Sequence, residues 1–221
     1  MITLIGAEKG GTGKTTIAVN IAVCLATVGK EVIVVDTDKQ PSAANFFAVR
    51  DENDVTPRVV CVQKYVQKKA NSLAKDLLSL AEKYEYVIVD AGGRDSLELR
   101  YSLGVADQVI IPLQPTQLDL WTLDQMDNLV RDARALNPNL QRAAVALNMV
   151  STNIGNTDAD EAAELINDYE ELTILENRIK ERVPFQRSIR EGKAVIEYTP
   201  KDPKAYNEIA KLFKEVMRNG S

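Results

Sequence analysis

Short apolar runs alternate along the chain with longer stretches in which apolar residues recur every three or four positions. The short runs are rich in β-branched residues, and several are apolar throughout, which predicts strands covered on both faces. These predicted strands are residues 2–6, 31–36, 58–62, 86–90, 108–112 and 143–148. The longer stretches have the period of amphipathic helices. The predicted helices are residues 15–28, 67–83, 119–136, 157–169 and 203–218.

This alternation predicts an α/β fold, a doubly wound and mainly parallel sheet with helices on both faces. Within the first predicted helix, Ile17, Ile21 and Leu25 are spaced four residues apart and are expected to face the sheet. Gly29 is expected to end that helix. Because the chain shows no internal repeat, low-complexity tract or long linker, residues 1–221 are expected to form a single domain.

Composition and charge narrow the function classes. Of the 221 residues, 45% are hydrophobic and 27% are charged, as is usual for a soluble globular protein. No apolar run has membrane length and no signal-peptide pattern is present, so a cytoplasmic location is expected. The absence of histidine excludes histidine-based metal sites and Ser-His or Cys-His catalysis. The net charge of -5 argues against a generally basic coat for nucleic acid but leaves room for a local basic patch. Cys24 and Cys61 lie in apolar segments and are expected to be reduced core residues.

The first predicted strand is followed by EKGGTGKTT, which almost spells the phosphate-binding pattern G-x-x-x-x-G-K-[ST], with Glu8 in the place of the first glycine. Lys14 can reach the β- and γ-phosphates of a nucleotide, and the Thr15 hydroxyl can ligate Mg²⁺ at the start of a helix that favours anions. The alternative is a glycine-rich strand–helix turn that binds no ligand. Three glycines would let the backbone wrap closely around a phosphate: Gly10, Gly11 and Gly13.

Acidic residues follow two further predicted strands. Asp36 and Asp38 lie past the second strand, where one can join a Mg²⁺ shell and the other can orient water. Asp90 ends YVIVD and, taken alone, would more often cap a helix or form a turn than bind a metal. Together with the phosphate loop, these acids favour a nucleotide site. No obvious strong base is present, so slow hydrolysis by positioning and charge stabilisation is expected.

These segments resemble the ParA/MinD family of deviant Walker A ATPases, in which the early lysine of KGGTGKTT is diagnostic. VVDTDKQPS resembles the switch I segment of that family, and YVIVDAGG resembles its Walker B segment. DQVIIPLQPTQLDL is similar to the strand and switch loop that follow. The resemblance runs through nearly the whole chain, is strongest in residues 2–45 and 84–121, and is greatest to the small plasmid-partition ParA proteins. It implies a P-loop NTPase of the deviant Walker A type, with ATP and Mg²⁺ as cofactors.

The resemblance also implies roles for single residues. Lys9 would cross a dimer interface to the phosphates of the ATP in the other subunit, Lys14 would act within its own subunit, and Asp38 would position the hydrolytic water. These three are the implied catalytic residues. The implied magnesium ligands are Thr15, Asp36 and Asp90. The implied ATP-binding residues are Lys9, Gly10, Gly11, Thr12, Gly13, Lys14, Thr15, Thr16, Asn148 and Arg182, with Asn148 and the loop 179–185 near the adenine.

The role implied for Lys9 also has a physical reason. Two ATP molecules facing each other would repel, and a lysine from each subunit between them would offset that repulsion and make dimerisation depend on the γ-phosphate. The alternative is a solvated loop lysine. The chain departs from the family pattern at Lys39, which replaces the usual proline of switch I, and at DAGG, which stands in place of DTPP. These departures motivate a second hypothesis, a non-hydrolysing nucleotide-dependent scaffold.

A basic stretch at residues 176–193 is a candidate DNA-binding surface in an otherwise acidic chain. Non-specific DNA binding draws mostly on phosphate contacts from lysine and arginine. Arg187 and Arg190, three residues apart, would share a helical face, and Lys193 lies close by. The alternative is a solvated, salt-bridged helix face, because glutamates are interspersed.

The leading hypothesis is a ParA-like ATPase that dimerises on ATP, binds DNA non-specifically and drives DNA partition or cargo positioning. A ParB-like or adaptor protein would stimulate hydrolysis, and the ATP-bound form would associate with the nucleoid. A MinD-like membrane ATPase is the alternative from the amphipathic last helix, but that apolar stripe is more typical of packing on a sheet. Trp121 is expected in the core, with a partner surface as the alternative.

Overall fold

The computed structural model describes residues 1–66, 72–93 and 96–218. Within these residues, the strands β1 to β7 are Ile2–Ile5, Val32–Asp36, Val60–Gln63, Tyr86–Asp90, Gln108–Leu113, Arg142–Leu147 and Thr173–Ile174. They form one sheet in the order β3-β2-β4-β1-β5-β6-β7. Every neighbouring pair is parallel.

Helices connect these strands. In the described ranges, the helices α1 to α9 are Lys14–Thr27, Ser42–Glu52, Ser72–Ala81, Leu97–Leu103, Gln117–Leu120, Leu123–Leu136, Asp158–Ile166, Val183–Arg190 and Pro203–Met217. A 3-10 turn at Val195–Glu197 precedes α9. None of the described helices combines the length and apolarity needed to cross a membrane.

The sheet is buried on both faces. Ile33 and Val35 of β2 belong to one apolar core, whereas Val32 and Val34 belong to another, because successive side chains of a strand point to opposite faces. Helices α3, α4, α6 and α7 contribute to the first core, and α1, α2, α8 and α9 contribute to the second. The predicted fold class, a doubly wound parallel sheet with helices on both faces, is therefore confirmed.

The strand order determines where a ligand can bind. β1 lies between β4 and β5, with β2 and β3 on one side and β6 and β7 on the other. The direction of winding therefore reverses beside β1, and a crevice opens there outside the carboxyl ends of the strands. Because the sheet is parallel, the loops that follow β1, β2, β4, β5 and β6 all emerge at this edge.

Most element predictions are confirmed. The six predicted strands occur within two residues of their expected ends, and Ile17, Ile21 and Leu25 of α1 are buried. Gly29 has a φ of 79° just past the end of α1, where its N–H bonds the Ala26 carbonyl. Residues 67–71 of the predicted helix 67–83 lie outside the described residues, and α3 covers the rest to Ala81. Burial raises the pKa of both thiols, those of Cys24 and Cys61, to about 12, and Cys24 is the more deeply buried.

The prediction of one helix over 119–136 was wrong. The segment forms α5 and α6, separated at Trp121 and Thr122. The Thr116 side chain caps the start of α5 by accepting the Asp119 N–H. After α5, the Thr122 hydroxyl donates to the Asp119 carbonyl at 2.7 Å, a hydrogen bond that ends this short helix before α6 begins. Short or weakly periodic elements were not predicted: α2, α4 and β7. The helical face expected for Arg187 and Arg190 occurs on α8.

Candidate nucleotide site

The loop between β1 and α1 is bent by glycines and held by side chains from the next strands. Gly11 and Gly13 have φ values of 82° and 88°, in the left-handed region that favours glycine. The Gln114 amide donates to the Gly11 carbonyl at 3.0 Å, and the Asn148 amide donates to the Thr12 carbonyl at 2.7 Å. A Cβ atom on Gly13 would clash with the Asn148 amide. The ends of β5 and β6 therefore fix the loop in the curved shape that a phosphate site requires.

Lys14 begins α1 and folds its side chain back into this loop. Its Nζ donates to the Lys9 carbonyl at 2.8 Å, and the side chain is buried. Burial lowers the pKa of Lys14, while the negative charges of Asp90 and Asp38 partly oppose that effect. The ammonium thus has a neutral carbonyl as its hydrogen-bond acceptor. A phosphate oxygen would be a stronger acceptor for it, because ionised partners make shorter and stronger hydrogen bonds.

Thr15 and Asp90 meet where α1 begins and β4 ends. The Thr15 hydroxyl donates to Asp90 Oδ2 at 2.7 Å, whereas Asp90 Oδ1 is buried without a hydrogen bond from any described residue. Burial, together with the charges of Asp36 and Asp38, raises the pKa of Asp90 to about 7 against the opposing effects of Thr15 and Lys14. A divalent cation would favour the ionised carboxylate. The hydroxyl and carboxylate oxygens therefore fit Mg²⁺, which takes few protein ligands beside phosphates and water.

Asp36 lies next to Asp90 on the neighbouring strand, in register with it. Its two oxygens accept the backbone N–H groups of Asp38 at 3.1 Å and Ala44 at 3.0 Å. Burial raises the pKa of Asp36, and these hydrogen bonds oppose the shift. Asp36 thus organises the loop between β2 and α2 while remaining beside the candidate magnesium position. In the part of the chain that the structure describes, no group of three or more acidic or thiol side chains could hold a metal by itself.

The DAGG segment after β4 packs against both Asp38 and the phosphate loop. A Cβ atom on Gly92 would lie 3.2 Å from the Asp38 carboxylate carbon. A Cβ atom on Gly93 would lie 2.9 Å from the Gly10 backbone nitrogen. Glycine is therefore favoured at both positions on steric grounds. A side chain at position 92 would crowd Asp38, and one at position 93 would crowd the phosphate loop. Asp38 itself accepts the Gln40 N–H at 2.9 Å, which orients its carboxylate beside the segment.

Lys9 makes an ion pair that the sequence analysis did not predict. Its Nζ lies 2.9 Å from Oδ1 of Asp119, on α5 of the same chain. The Lys9 side chain is 40% exposed, whereas that of Asp119 is 1% exposed. The alternative of a freely solvated loop lysine is therefore wrong for this structure. Asp119 is the first residue of the predicted helix 119–136, whereas in the structure it is a buried residue of the separate helix α5.

Several residues expected to bind ATP line a common cavity, including those expected near the adenine. A cavity of about 110 Å³ beside α1 is lined by Thr16, Asn148 and Arg182, among others. Arg182 also donates to Glu208 from Nε at 2.9 Å and from Nη2 at 2.8 Å. Its positive charge is thus balanced inside the protein. The planar guanidinium remains part of the cavity wall, where it can pack against a flat ring.

The predicted DNA-binding residues differ in their surroundings. Arg187 and Arg190 on α8 are exposed and form no ion pair with any residue that the structure describes. Lys193, by contrast, pairs with Glu191 at 2.8 Å. Arg178 and Arg182 are also paired with acids of the same chain. The salt-bridged interpretation therefore holds for Arg178, Arg182 and Lys193, whereas Arg187 and Arg190 on α8 are unpaired among the described residues.

Two lysines missed by the sequence analysis extend this charge. Arg187 lines a groove of about 650 Å³ together with Lys201 and Lys204, at the start of α9. The Lys201 Nζ lies 4.7 Å from the centre of the Tyr206 ring. The motif KDPK at residues 201–204 was the available signal, but it lies outside the predicted basic stretch.

The remaining expectations concern apolar side chains. The stripe on α9 is buried at Ile209, Leu212 and Val216, so the helix packs inward as predicted. Trp121 is 66% exposed, so the prediction that it lies in the core was wrong. Leu118, three residues earlier, is 61% exposed, which places two large apolar side chains beside Asp119 at the crevice edge.

Comparison with known proteins agrees with this geometry. Residues 1–140 match the family model described as ATPase MipZ. The chain belongs to this ATPase family, within the ParA/MinD group of deviant Walker A ATPases. Over 99% of both chains, it is 27% identical to the sporulation initiation inhibitor protein Soj of Bacillus subtilis (strain 168). It is also 27% identical to the maintenance of carboxysome distribution protein A of Halothiobacillus neapolitanus, over 95% of this chain and 93% of that protein.

Solved structures share the fold of this chain. MinD of Pyrococcus horikoshii, complexed with Mg-ADP, superposes with a TM-score of 0.76 at 19% identity, covering 100% of this chain and 97% of that one. A Cyanothece McdA–ATP complex gives a TM-score of 0.78 at 17% identity, covering 98% and 96%. At these identities the likeness concerns the fold. The similarity to proteins of partitioning or positioning comes from the sequence relatives, Soj and the carboxysome distribution protein, which match nearly the whole chain.

Proposed function

We propose that this chain is a ParA-like ATPase that binds ATP with Mg²⁺, dimerises on it, and positions DNA or another cargo. Residues 1–221 would act as one ATP-binding unit. The observation that carries the proposal is the meeting of Lys14, Thr15 and Asp90 under a loop shaped for phosphate, with Lys9 at its exposed rim. The identity to Soj and to the carboxysome distribution protein, although 27%, supports the same class of function.

Within one subunit, each part of the site would have a separate task. Lys14 would exchange the Lys9 carbonyl for phosphate oxygens, and the backbone N–H groups of the glycine loop would bind the same phosphates. Thr15 and Asp90 would hold Mg²⁺, which would supply charge neutralisation to the phosphates. Asp38 would orient the attacking water, because it lies beside the DAGG segment at the mouth of the loop. Without a strong base, turnover would be slow and would suit a switch.

Dimerisation would depend on Lys9. It stands on the loop next to the phosphates but keeps a 40% exposed side chain, so it can reach beyond its own subunit. An ammonium between two facing nucleotides would offset their repulsion only when both are bound. ATP would therefore control the monomer–dimer equilibrium.

DNA binding would use the groove formed by α8 and the start of α9. Arg187, Lys201 and Lys204 line it. The exposed Arg190 lies on the same helix as Arg187. A dimer would carry two such surfaces, and the resulting avidity would make DNA affinity depend on ATP. The ATP-bound dimer would then associate with the nucleoid, and a ParB-like or adaptor protein would release it by stimulating hydrolysis.

The proposed function is tested by measuring DNA retention with a non-hydrolysable ATP analogue, with ADP, and without nucleotide. The expected result is retention with the analogue that weakens steeply between about 50 and 200 mM salt, since phosphate contacts dominate. Anionic lipid vesicles serve as a parallel surface. Binding to vesicles with the analogue, while DNA is ignored in every nucleotide state, would replace this proposal with a MinD-like one.

A further inference from the structure

The Lys9–Asp119 pair joins an exposed cation to a buried anion. Lys9 Nζ lies 2.9 Å from Asp119 Oδ1, and the Asp119 side chain is 1% exposed. The other carboxylate oxygen, Oδ2, accepts the Thr116 hydroxyl at 2.9 Å. The Lys9 contact is an ion pair without hydrogen-bond geometry at Oδ1, so among the described side chains the Thr116 hydroxyl is the hydrogen-bond donor to this carboxylate. Among the described contacts of Asp119, Lys9 is therefore the one that supplies a positive charge.

The ion pair with Asp119 makes it energetically unfavourable for the Lys9 side chain to extend toward a second subunit. If the ammonium moves away, a carboxylate remains buried with a single hydroxyl donor, which is costly. If the ammonium stays, a neighbouring negative charge weakens its attraction for phosphates. The triphosphate of a facing subunit carries more negative charge than one carboxylate, so it can compete for Lys9 when it is close enough.

We propose that Asp119 is a positioning residue that holds Lys9 within its own subunit and sets the ATP concentration at which the dimer forms. This inference rests on the proposed role of Lys9 in dimerisation. The held and the released Lys9 are two states of one side chain, and nucleotide in the facing subunit binds only the released state. The apparent affinity of dimerisation is then reduced by the fraction of chains in which Lys9 is released.

Two substitutions that touch the same carboxylate should act in opposite directions. Asp119→Asn keeps the shape but removes the charge, so Lys9 is released and half-maximal dimerisation should need less ATP analogue, by about threefold or more. Thr116→Val keeps the charge but removes its hydroxyl donor, together with the side-chain cap of α5. The carboxylate then depends more on Lys9, and half-maximal dimerisation should need more analogue.

The experiment is sedimentation velocity of the full chain across a titration of a non-hydrolysable ATP analogue, with circular dichroism as a check on folding. Opposite shifts of the two variants support the inference. A merely structural role for α5 would move both midpoints in the same direction, and that result would overturn it, as would an unmoved or raised midpoint for Asp119→Asn. If Asp119→Asn does not fold, Thr116→Val decides alone: a raised midpoint supports the inference, and an unchanged or lowered one overturns it.

The same titration separates this inference from the proposed function. If the unmodified protein dimerises with the analogue but the variants fail to shift as expected, only the role of Asp119 is lost. If the unmodified protein stays monomeric at saturating analogue, the proposed function fails and this inference fails with it.

Discussion

The hydroxyl of Thr15 donates a hydrogen bond to the carboxylate of Asp90 over 2.7 Å, and this bond joins the start of the first helix to the end of a central strand. The second oxygen of that carboxylate is buried and accepts no hydrogen bond from the described residues. Such a group costs stability in a protein that binds nothing at this place. A bound cation would use the same oxygen, which is the reason for proposing Asp90 as a magnesium ligand.

The pKa of Asp90 leads to a prediction on stability. Because burial raises it from 3.8 to about 7, the folded protein without ligand binds the Asp90 proton more tightly than the unfolded chain does. That contribution to stability is complete below the unfolded pKa near 4 and is lost as pH rises through about 7. Asp90→Asn should therefore unfold about 5–10 °C higher than the unmodified protein at pH 8, with a much smaller difference at pH 4.5. Thermal unfolding at the two pH values measures this.

A matched control for this prediction is another buried carboxylate that is ion-paired. Asp127 bonds Arg131 at 2.6 Å and accepts the Glu171 N–H at 3.0 Å. Asp127→Asn should lower the unfolding temperature at pH 8. Equal destabilisation by both substitutions at pH 8 would contradict the account of Asp90.

The steric role of Gly93 gives a second prediction. A Cβ atom there would lie 2.9 Å from the Gly10 backbone nitrogen, so Gly93→Ala should displace the phosphate loop and weaken ATP binding by tenfold or more, a loss of about 1.4 kcal/mol. Gly155→Ala is the control, because a Cβ atom there meets nothing within 4 Å. Titration of a fluorescent ATP analogue compares the two. Equal affinities for both variants would mean that the loop and the DAGG segment are not sterically coupled.

Asp38 separates an ATPase from a non-hydrolysing scaffold. Its carboxylate lies at the mouth of the loop beside Gly92 and makes no hydrogen bond to Lys14. Asp38→Ala should therefore abolish phosphate release while ATP binding is retained. Phosphate release and nucleotide binding are measured side by side. Absence of turnover in the unmodified protein, even with DNA and a stimulating partner, would favour the scaffold.

The groove at α8 and α9 predicts a change in salt dependence. Each cation that contacts a DNA phosphate contributes about 0.9 to the slope of log affinity against log salt, so Arg187→Ala with Lys204→Ala should reduce that slope by nearly 2 for each subunit of the dimer that contacts DNA. Lys30→Ala is the control, since Lys30 lies before β2, at the opposite edge of the sheet, and pairs with Glu85. DNA affinity with the ATP analogue is measured at several salt concentrations. If Lys30→Ala reduces the salt slope by the same amount as the double substitution, the groove at α8 and α9 is not the DNA-binding surface.

The sequence carried most of the fold because its strands are continuous apolar runs, which only a sheet covered on both faces accommodates. It did not reveal α2, whose segment SAANFFAVRDE buries Arg50 in an ion pair with Glu197 and so breaks the apolar period. Nor did it reveal that Asp119 turns inward while Trp121 turns outward, because the break after α5 depends on hydrogen bonds from Thr116 and Thr122. The phosphate loop could be predicted because its motif is one contiguous stretch of sequence. The ion-pair partners of Lys9 and Arg182, by contrast, lie far away along the chain.

In the proposed function, Lys14 binds ATP within its own subunit, and Lys9 makes dimerisation depend on the ATP of the other subunit. Sedimentation velocity with a non-hydrolysable ATP analogue, beside a nucleotide-binding titration, tests it in three proteins: the unmodified chain, Lys9→Ala and Lys14→Ala. The account predicts a dimer for the unmodified chain, a monomer that still binds nucleotide for Lys9→Ala, and loss of nucleotide binding for Lys14→Ala. A Lys9→Ala protein that dimerises at the same analogue concentration as the unmodified chain would contradict it.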